Sequence, residues 1–402
     1  MRPFGTLISF SEAQTAVARA TPEIEDAEQV RLDDAVGRVL AVDVVARLDH
    51  PPFDRSAMDG YALRARDTFG ASRSAPKALT IAGAEHAGEV WEGRISADEC
   101  LEVATGAVLP KGADAVVMVE DVTREGDGIT LTRPVYPGAN VSRQGEDIAR
   151  GETVLSRGSL LGPAQVGALA SQGKTDAEVY RQPRVAVFPS GGEVTPPGRR
   201  LRRGQVYDMN SYTVSALVRL NGGLALRQQA IPDSRQQIKS ALLGALDNDF
   251  LVISGGSSVG ERDLLADAVA ELGEVLFHGV QIKPGKPTLF GRTGGKPILG
   301  LPGYPTSCLT NAYLFLAPAV RKMARLPPRK EQVARARLGQ NVSGSVGRRQ
   351  FLTVKIEGDN AVVVFKEASA ITSLSRADGY IEIPENVDLL RKGEEVEVKL
   401  LG

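Results

Sequence analysis

The feature that most constrains the fold is an alternation of strand-like and helix-like runs between residues 184 and 324. Apolar runs such as RVAVFP (184–189) and FLVIS (250–254) are each followed by a turn and then a helix-like stretch. One such helix is expected in NSYTVSALVRLNGG (210–223), with Asn210 as its candidate cap. Because parallel strands need crossover connections, usually helices, the alternation predicts a mostly parallel sheet with helices on both faces.

The regions on either side follow a different pattern. Between about residues 78 and 136 short strands alternate with turns, which predicts a small all-β domain. LPPRK (326–330) is typical of a linker, and the strand-like runs in 331–402 predict a second small β domain. Near the start, Ser11 to Gln14 form a capping-box pattern that predicts a helix through about Ala20.

Composition excludes several classes of function. The 402 residues carry a net charge of −1, so no global basic field recruits nucleic acid, and any anion site must be built locally. Cys100 and Cys308 are far apart, which indicates no disulfide framework and suits a reducing cytoplasm. The three histidines, His50, His86 and His278, have no metal-ligand spacing.

Neither a signal peptide nor a membrane span is expected. The stretch MRPFGTLISF (1–10) has no apolar core, and AYLFLAPAV (312–320) is too short to cross a bilayer and contains Pro318. We therefore expect a cytoplasmic protein without membrane contact.

Three loops follow the predicted parallel strands, where ligands of α/β proteins usually bind. They are PSGGEV (189–194), IPDSR (231–235) and SGGSSVGERD (254–263). If the strands are parallel, Glu193, Asp233 and Asp263 lie on one edge of the sheet. Mg²⁺ prefers oxygen ligands and bridges carboxylates to phosphates, so these acids are candidates for a metal site. Alternatively, Asp233 is a helix cap and Asp263 is a first-turn acid favoured by the helix dipole.

Glycines and lysines in the same region suit an anion. Gly255 and Gly256 would allow backbone N–H groups close to a phosphate, although a tight turn would have the same residues. Lys283 and Lys286 flank a Pro-Gly turn that can fix two ammonium groups, or else they are two solvated lysines. GLPGYPTS (300–307) is a further loop that precedes a helix.

Two polar loops outside this region have no evident role when taken alone. DRSAMDGYA (54–62) contains Asp59, and RQGEDI (143–148) contains Asp147. Each is an ordinary polar turn by itself.

Eight motifs, taken together, resemble a known family. They occur in the family's order and span most of the chain: SAMDGYA, ATGAVLPKGADAVV, GEDI, LLGPAQVGALAS, GQVYDMN, SGGSSVGERD, IKPGKPTLFG and GLPGYPTS. The chain resembles the molybdopterin molybdenumtransferases, which are the MoeA proteins, and the related E domain of gephyrin. The stretch LSRADGYIEIPE near the end continues the resemblance.

The resemblance implies an enzyme of molybdenum cofactor biosynthesis. Such an enzyme inserts molybdate into adenylylated molybdopterin with Mg²⁺-dependent release of AMP. It also implies an elongated homodimer with sites between subunits, and contacts with the molybdopterin adenylyltransferase and recipient apoenzymes. Three other readings stay open: a tungstate-inserting variant, a molybdopterin adenylyltransferase, and a non-catalytic scaffold that binds the cofactor.

The family's functional residues are carried over by motif position. The catalytic acids implied are Asp59, Asp147, Glu193, Asp233 and Asp263, of which the last three would hold the cation. The implied substrate-binding residues are Thr105, Ser190, Gly255, Gly256, Ser258, Lys283, Lys286, Pro302 and Ser373. Asp59, Thr105 and Asp147 would close the site from the facing subunit.

The resemblance also implies a multidomain layout of α/β and β parts. The central α/β domain, similar to MoaB and Mog proteins, covers 181–326 and is packed by an N-terminal helix within 1–26. The other domains implied are a split α+β domain I (27–46 and 141–180), an inserted β domain II (47–140) and a C-terminal β domain IV (327–402).

Three positions depart from the family's pattern. Gly192 stands where the family usually has an aspartate, so one acid is lost beside Glu193. Tyr304 replaces a common asparagine, and Ser257 replaces a common valine. The first departure alters the local charge, and Tyr304 could alter the edge that meets the pterin or nucleotide.

Overall fold

The chain folds as two compact units in the computed structural model, which describes residues 7–255 and 264–401. The larger unit is formed by described residues within 1–28, 37–39 and 179–402. The smaller unit is formed by residues 29–36 and 40–178. The predictions for Gly256, Ser258 and Asp263, and the departure at Ser257, lie outside the described residues.

The described chain contains short helices and many short strands. The helices are α1 (Phe10–Ala20), α2 (Pro163–Ser171), α3 (Asn210–Leu220), α4 (Arg235–Leu243), α5 (Leu264–Leu272), α6 (Pro305–Asn311), α7 (Ala317–Met323) and α8 (Thr372–Ser375). The strands before residue 181 are β1 (Ala27–Arg31), β2 (Val44–Val45), β3 (Arg55–Ser56), β4 (Gly60–Leu63), β5 (Lys77–Glu85), β6 (Glu99–Val103), β7 (Ala115–Met118), β8 (Val122–Glu125), β9 (Gly128–Leu131), β10 (Val141–Ser142), β11 (Thr153–Leu155) and β12 (Asp176–Tyr180).

The remaining strands belong to the larger unit. Those of the α/β region are β13 (Arg184–Pro189), β14 (Val194–Thr195), β15 (Val206–Tyr207), β16 (Leu224–Arg227), β17 (Phe250–Ser254), β18 (Gly273–His278), β19 (Ile282–Lys283), β20 (Leu289–Thr293) and β21 (Lys296–Leu301). Those of the C-terminal region are β22 (Val333–Leu338), β23 (Val342–Ser343), β24 (Arg349–Glu357), β25 (Asn360–Val363), β26 (Gly379–Ile383), β27 (Leu389–Leu390) and β28 (Glu395–Leu400).

The α/β region contains the predicted parallel sheet. Its strand order is β16-β13-β17-β21-β20-β18. The first four strands are parallel to one another, β20 is antiparallel to β21, and β18 is antiparallel to β20. Successive residues of β13 point to opposite faces. Val185 and Val187 enter a core that includes residues of α1, α3 and α7, while Ala186 and Phe188 enter a second core with α4 and α5. The prediction of helices on both faces is therefore confirmed.

The N-terminal helix begins earlier than the capping-box pattern predicted. Ser9, not Ser11, is the N-cap, and it forms the capping box with Glu12. Phe10 becomes the first helical residue, and its ring contacts that of Phe315 edge-on at 5.8 Å between centroids. Ser9 caps better because this start places Phe10, together with Ala13, in the apolar core.

The long helix predicted at the end of the α/β region has three parts. Helices α6 and α7 are joined by a π-helical turn, Ala312–Leu316. Pro318 lies in the first turn of α7, where a missing backbone N–H disrupts little. No helix among the described residues combines the length and apolar character that a bilayer crossing needs.

The C-terminal region forms a closed β structure. Strands β24, β25, β22, β28 and β26 pair in that order, and β26 also pairs with β24, which completes a ring. Strand β19 of the α/β region pairs in parallel with β24, so Lys283 lies opposite Gln350. The loop that carries the two lysines is thereby fixed to this ring.

The smaller unit has a six-stranded sheet in the order β7-β4-β6-β5-β9-β8. Its core contains Tyr61, Leu63, Cys100, Val117 and Ile129. The predicted β region is therefore present, with β4 added from the SAMDGYA segment. Strands β4 and β6 are neighbours in this sheet, so Asp59, just before β4, lies beside Thr105, in the turn that follows β6.

Candidate functional site

A cavity of about 730 Å³ lies at the carboxyl ends of the parallel strands in the larger unit. Strands β13, β17 and β21 end at Pro189, Ser254 and Leu301, and the residues that follow each of them line the cavity. This is the edge at which the sequence predicted a ligand. Its position follows from the parallel order of the strands, which directs three connecting loops to one place.

Backbone hydrogen bonds hold these loops together. The Ser190 N–H donates to the Ser254 carbonyl at 2.9 Å, and the Gly255 N–H donates to the Leu301 carbonyl at 3.0 Å. The Gly191 N–H donates to the Ile231 carbonyl at 3.1 Å. The N–H groups of Gly191 and Gly255 therefore already donate to backbone carbonyls. These two glycines shape the loops, and polar contacts with a ligand would come from other groups.

Gly255 is required by its backbone geometry. Its φ is +97°, in the region that side chains disfavour. A Cβ at this position would also lie 2.7 Å from the Ser190 carbonyl oxygen. Glycine thus allows the 255 and 190 loops to approach each other at the cavity.

Two serine hydroxyls at the cavity have no hydrogen-bond partner among the described residues. Ser190 is 6% exposed and Ser254 is 2% exposed, and both line the cavity. A buried hydroxyl without a partner costs free energy, and a ligand that accepts or donates a hydrogen bond would remove that cost. Ser190 was predicted as a binding residue, whereas Ser254 was not.

Glu193 and Asp233 come together at the cavity as the parallel strands require. Both line it and both are exposed. Helix α4 has Ser234 at its N-cap position, so Asp233 is not that helix's N-cap. Among the described residues no group of three or more His, Cys, Asp or Glu side chains is placed to hold a metal ion, and Asp263 lies outside them.

Asp208 and Asn210 also line the cavity, and sequence reasoning did not select them. The Asp208 carboxylate accepts from the Ser211 N–H at 3.0 Å and from its hydroxyl, at the start of α3. Met209 occupies the N-cap position, so Asn210 is the first helical residue and not the cap. The Asn210 amide instead donates to the Gly303 carbonyl at 2.8 Å. The motif GQVYDMN, which carried part of the resemblance, was the available signal.

The GLPGY loop contributes Pro302 and Tyr304 to the cavity. Tyr304 is 64% exposed and occupies the N-cap position of α6 without a side-chain cap bond. The departure from asparagine therefore places an aromatic ring at the cavity wall. Gly192, a second departure, has no described atom within 4 Å of where a side chain would begin.

Lys283 and Lys286 do not line the cavity, although the next residue, Pro287, does. Buried Asn311 of α6 supports their turn, because its side-chain amide donates to the Gly285 carbonyl at 3.3 Å. Gly285 has a φ of +106°, as the predicted stiff turn requires. The lysines therefore lie next to the cavity on a supported turn.

Ser373 is fully buried and does not line the cavity. Its hydroxyl accepts from the Lys366 N–H at 3.0 Å, which braces the segment before α8. Ser369 of this segment lines the cavity instead, and the Thr306 hydroxyl of α6 donates to the Ala370 carbonyl at 2.7 Å. The C-terminal ring thus supplies one wall through Ser369.

In the smaller unit, Asp59 and Thr105 are directly bonded. The Asp59 carboxylate accepts from the Thr105 N–H at 2.7 Å and from its hydroxyl at 3.0 Å. The N–H bond, followed by the hydroxyl bond, lowers the pKa of Asp59 from its ordinary value. Both residues are exposed, so the carboxylate is an accessible anion at neutral pH.

Asp147 lies in the second polar loop of the same unit, where it is exposed. The two polar loops meet through Asp54, whose carboxylate accepts from the Arg143 guanidinium and the Gln144 N–H, each at 2.8 Å. The Gln144 N–H, followed by the Arg143 side chain, outweighs partial burial and lowers the pKa of Asp54. The loops that seemed to be separate polar turns are therefore one bonded structure.

Three family models match successive parts of the chain. Residues 8–173 match the MoeA N-terminal region (domains I and II), and residues 335–401 match the MoeA C-terminal region (domain IV). Residues 186–322, which form the parallel sheet, match a model described as "probable molybdopterin binding domain". The fold and the site thus define a protein of the molybdopterin-binding class.

Relatives along the whole chain give the family. Molybdopterin molybdenumtransferase 2 of Mycobacterium tuberculosis is 35% identical over 379 residues, which are 92% of this chain and 94% of the relative. The molybdopterin molybdenumtransferase of Haemophilus influenzae is 31% identical over 402 residues and 98% of both chains. A crystal structure of the molybdopterin biosynthesis protein MoeA from Pyrococcus horikoshii has a TM-score of 0.85 at 41% identity, and the match covers 99% of this chain and 100% of that one. The chain belongs to the MoeA family of molybdopterin molybdenumtransferases, transferases of molybdenum cofactor biosynthesis.

Proposed function

We propose that this chain inserts molybdate into adenylylated molybdopterin and releases AMP, and that the cavity of the larger unit is where it does so. The observation that carries the proposal is the convergence of Ser190, Glu193, Asp233, Gly255 and Pro302 on that cavity. These five residues come from four loops, since Ser190 and Glu193 share the loop 189–194, and the sequence predicted each of them as a site residue. The cavity volume of about 730 Å³ suits an organic ligand of substantial size.

The buried serine hydroxyls are proposed to hold phosphate oxygens of the substrate. Ser190 and Ser254 have free hydrogen-bonding capacity among the described residues, and they face the cavity edge at the ends of β13 and β17. Lys283 and Lys286 would add positive charge from the adjoining turn. The sequence predicted that backbone N–H groups near Gly255 would bind a phosphate. The Gly255 N–H instead donates to the Leu301 carbonyl, so we assign this role to the serine hydroxyls.

A divalent cation suits the carboxylates at this cavity. Glu193 and Asp233 line it and offer carboxylate oxygens, but the described residues do not bring three acids close enough to hold a metal, so a further ligand is needed. An anionic substrate beside these carboxylates also needs an intervening positive charge. We assign Mg²⁺ to Glu193 and Asp233, with Asp263 as the third predicted ligand. When bound, Mg²⁺ would neutralise phosphate charge and so favour departure of AMP.

Residues of the smaller unit are proposed to complete the reaction site. Asp59, positioned by Thr105, and Asp147 would face the oxoanion or the pterin from a second copy of the chain in a homodimer. The low pKa of Asp59 keeps it ionised, so it would orient water or a hydroxyl group as an acceptor and would not supply a proton.

The remaining proposals concern organisation and surroundings. We propose the domain boundaries given above: 1–26, 27–46 with 141–180, 47–140, 181–326 and 327–402. The expected partners are the molybdopterin adenylyltransferase and recipient apoenzymes, and the expected compartment is the cytoplasm. Both cysteines are free and buried, and burial raises the pKa of Cys100 to about 12, which suits inert structural thiols.

The test is AMP release from adenylylated molybdopterin with Mg²⁺, with and without molybdate. We expect molybdate-dependent release by wild type that Asp233→Asn and Asp263→Ala each reduce by about a hundredfold, equivalent to about 2.7 kcal/mol. Asp247→Asn, an exposed carboxylate away from the cavity lining, is the matched control and should leave the rate unchanged. Binding of substrate without release, whichever oxoanion is supplied, would contradict the transferase proposal.

A further inference from the structure

An arginine-rich loop next to the cavity has no role in the function proposed above. The stretch PPGRRLRRGQ, residues 196–205, contains Arg199, Arg200, Arg202 and Arg203 within five positions. All four are exposed. Within 7–255 and 264–401 no ion pair joins any of the four to a carboxylate. Four guanidinium groups close together repel one another, so the loop, as far as the described residues show its pairing, is a local concentration of positive charge.

Both ends of this arginine loop are fixed at the cavity. Strand β14 pairs with β15, which brings the two ends together, and Val194, Val206 and Tyr207 of these strands line the cavity. The Tyr207 hydroxyl donates to the Arg199 carbonyl at 2.9 Å. Arg203 is only three residues before Val206, so their Cα atoms are separated by at most about 11 Å. The loop that carries the arginines is therefore anchored next to the cavity.

The cavity itself is negatively charged, and the arginine loop beside it is positively charged. Glu193, Asp208 and Asp233 line the cavity with negative charge, and the chain as a whole carries a net charge of −1. Neither would attract a polyanion. The four arginines outnumber the three carboxylates, so they can make the entrance attractive to phosphate while the interior keeps its acids.

We propose that the arginine loop, residues 196–205, captures the phosphate groups of the arriving substrate and steers them into the cavity. This inference rests on the proposed function and adds to it the way in which the substrate arrives. Guanidinium groups suit phosphate because their planar fork can donate two parallel hydrogen bonds. Exposed charged side chains act mainly through their electric field, so they affect association more than the bond-breaking step.

The main test replaces all four arginines together: Arg199→Gln, Arg200→Gln, Arg202→Gln and Arg203→Gln. At low ionic strength we expect kcat/KM for AMP release to fall about tenfold or more, with kcat changed less than about twofold. The dependence of kcat/KM on salt should become flatter, and the variant should converge with wild type at high salt. Each half of the loop, replaced as a pair, should give an intermediate loss.

A matched control removes the same positive charge elsewhere in the larger unit. Lys330→Gln, Arg335→Gln, Arg391→Gln and Lys392→Gln change four exposed side chains that do not line the cavity. We expect this variant to keep the kcat/KM and the salt dependence of wild type. Equal losses in the two variants, or no loss in the arginine-loop variant, would overturn the proposal.

A binding measurement separates this inference from the proposed function. Inorganic pyrophosphate is the probe, and its dissociation constant is expected to rise about fivefold or more in the arginine-loop variant relative to the control variant. Equal affinity for the two variants, or no binding by wild type, overturns the arginine-loop proposal even if AMP is released. Binding that follows the prediction, without AMP release by wild type, supports anion capture and refutes the transferase proposal.

Discussion

The Asp59 carboxylate accepts two hydrogen bonds from Thr105, one from its backbone N–H at 2.7 Å and one from its hydroxyl at 3.0 Å. Both bonds end on the same oxygen, Oδ1. The other oxygen, Oδ2, accepts none of the hydrogen bonds resolved between described side chains. Asp59 and Thr105, which come from different family motifs, therefore form one hydrogen-bonded pair. The bonds fix the carboxylate through Oδ1, and Oδ2 remains available for another contact.

The pair predicts a graded response to substitution at position 105. Thr105→Val removes the hydroxyl and keeps the N–H, whose bond is the larger cause of the lowered pKa of Asp59. The pKa of Asp59 should therefore rise only part of the way to its ordinary value of 3.8. Carboxyl titration by NMR would measure this, with Thr105→Ser as the control that keeps both donors.

The sign of the linked stability follows from the lowered pKa. The stabilisation from the Asp59–Thr105 pair is present above the ordinary pKa and is lost as pH falls through the lower folded value. The Thr105→Val protein should accordingly differ least from wild type in strong acid. A pKa of Asp59 that does not move in Thr105→Val would contradict the hydroxyl bond.

Asp208 can be tested for separate structural and chemical roles. Asp208→Asn keeps a side chain that accepts hydrogen bonds at a helix start, so the free energy of unfolding should stay close to that of wild type. Asp208→Ala should lose about 1 kcal/mol because the Ser211 N–H loses its partner. If the carboxylate serves the cavity, both variants should lose about tenfold or more in kcat/KM for AMP release. Full activity of Asp208→Asn would limit Asp208 to the helix start.

Gly255→Ala should destabilise the larger unit by roughly 1–3 kcal/mol, because its φ is +97° and the new Cβ would lie 2.7 Å from the Ser190 carbonyl oxygen. Gly303→Ala is the matched control in the same cavity, since its Cβ would have Gly255 Cα as its nearest neighbour at 3.5 Å. Denaturant unfolding measures both. Equal stability of the two variants would refute the close approach of the 190 and 255 loops.

Glu85 in the smaller unit predicts a pH-dependent stability. The side chain is buried, and its Oε1 has no hydrogen-bond partner among the described residues. Burial, opposed by backbone N–H bonds from Trp91 and Val108, raises the pKa of Glu85 above its ordinary value of 4.5. In the window between the ordinary and the raised pKa, the unfolded chain ionises first, so folded stability falls as pH rises.

Glu85→Gln should therefore raise the Tm at pH 7, because it keeps the shape and removes the charge. The gain should shrink as pH falls toward 4.5, because the raised pKa lets the folded wild-type carboxyl take up its proton before the unfolded one does. Thermal unfolding at both pH values measures it. Exposed Glu120→Gln in the same unit is the control and should change the Tm little at either pH. A lower Tm for Glu85→Gln at pH 7 would contradict a raised pKa of the buried Glu85 carboxyl.

The sequence by itself determined the order of strands and helices, the parallel sheet, the edge at which the cavity lies and the family. Periodicity is local, since it depends on which side chains repeat along a few turns or strand residues. Loops after parallel strands must meet at one edge, so the pattern predicted that Glu193 and Asp233 would lie on the same edge, and both line the cavity there. The ordered motifs identified the family because they are spread over most of the chain.

Only the tertiary structure decided which side chains have partners. Among the residues that the structure describes, the hydroxyls of Ser190 and Ser254 have no hydrogen-bond partner, while the N–H of Gly255 is bonded to the Leu301 carbonyl. Ser369 replaces Ser373 at the cavity because the C-terminal ring turns that segment toward α6. Such assignments depend on contacts between residues far apart in the chain, and local periodicity contains no information about them.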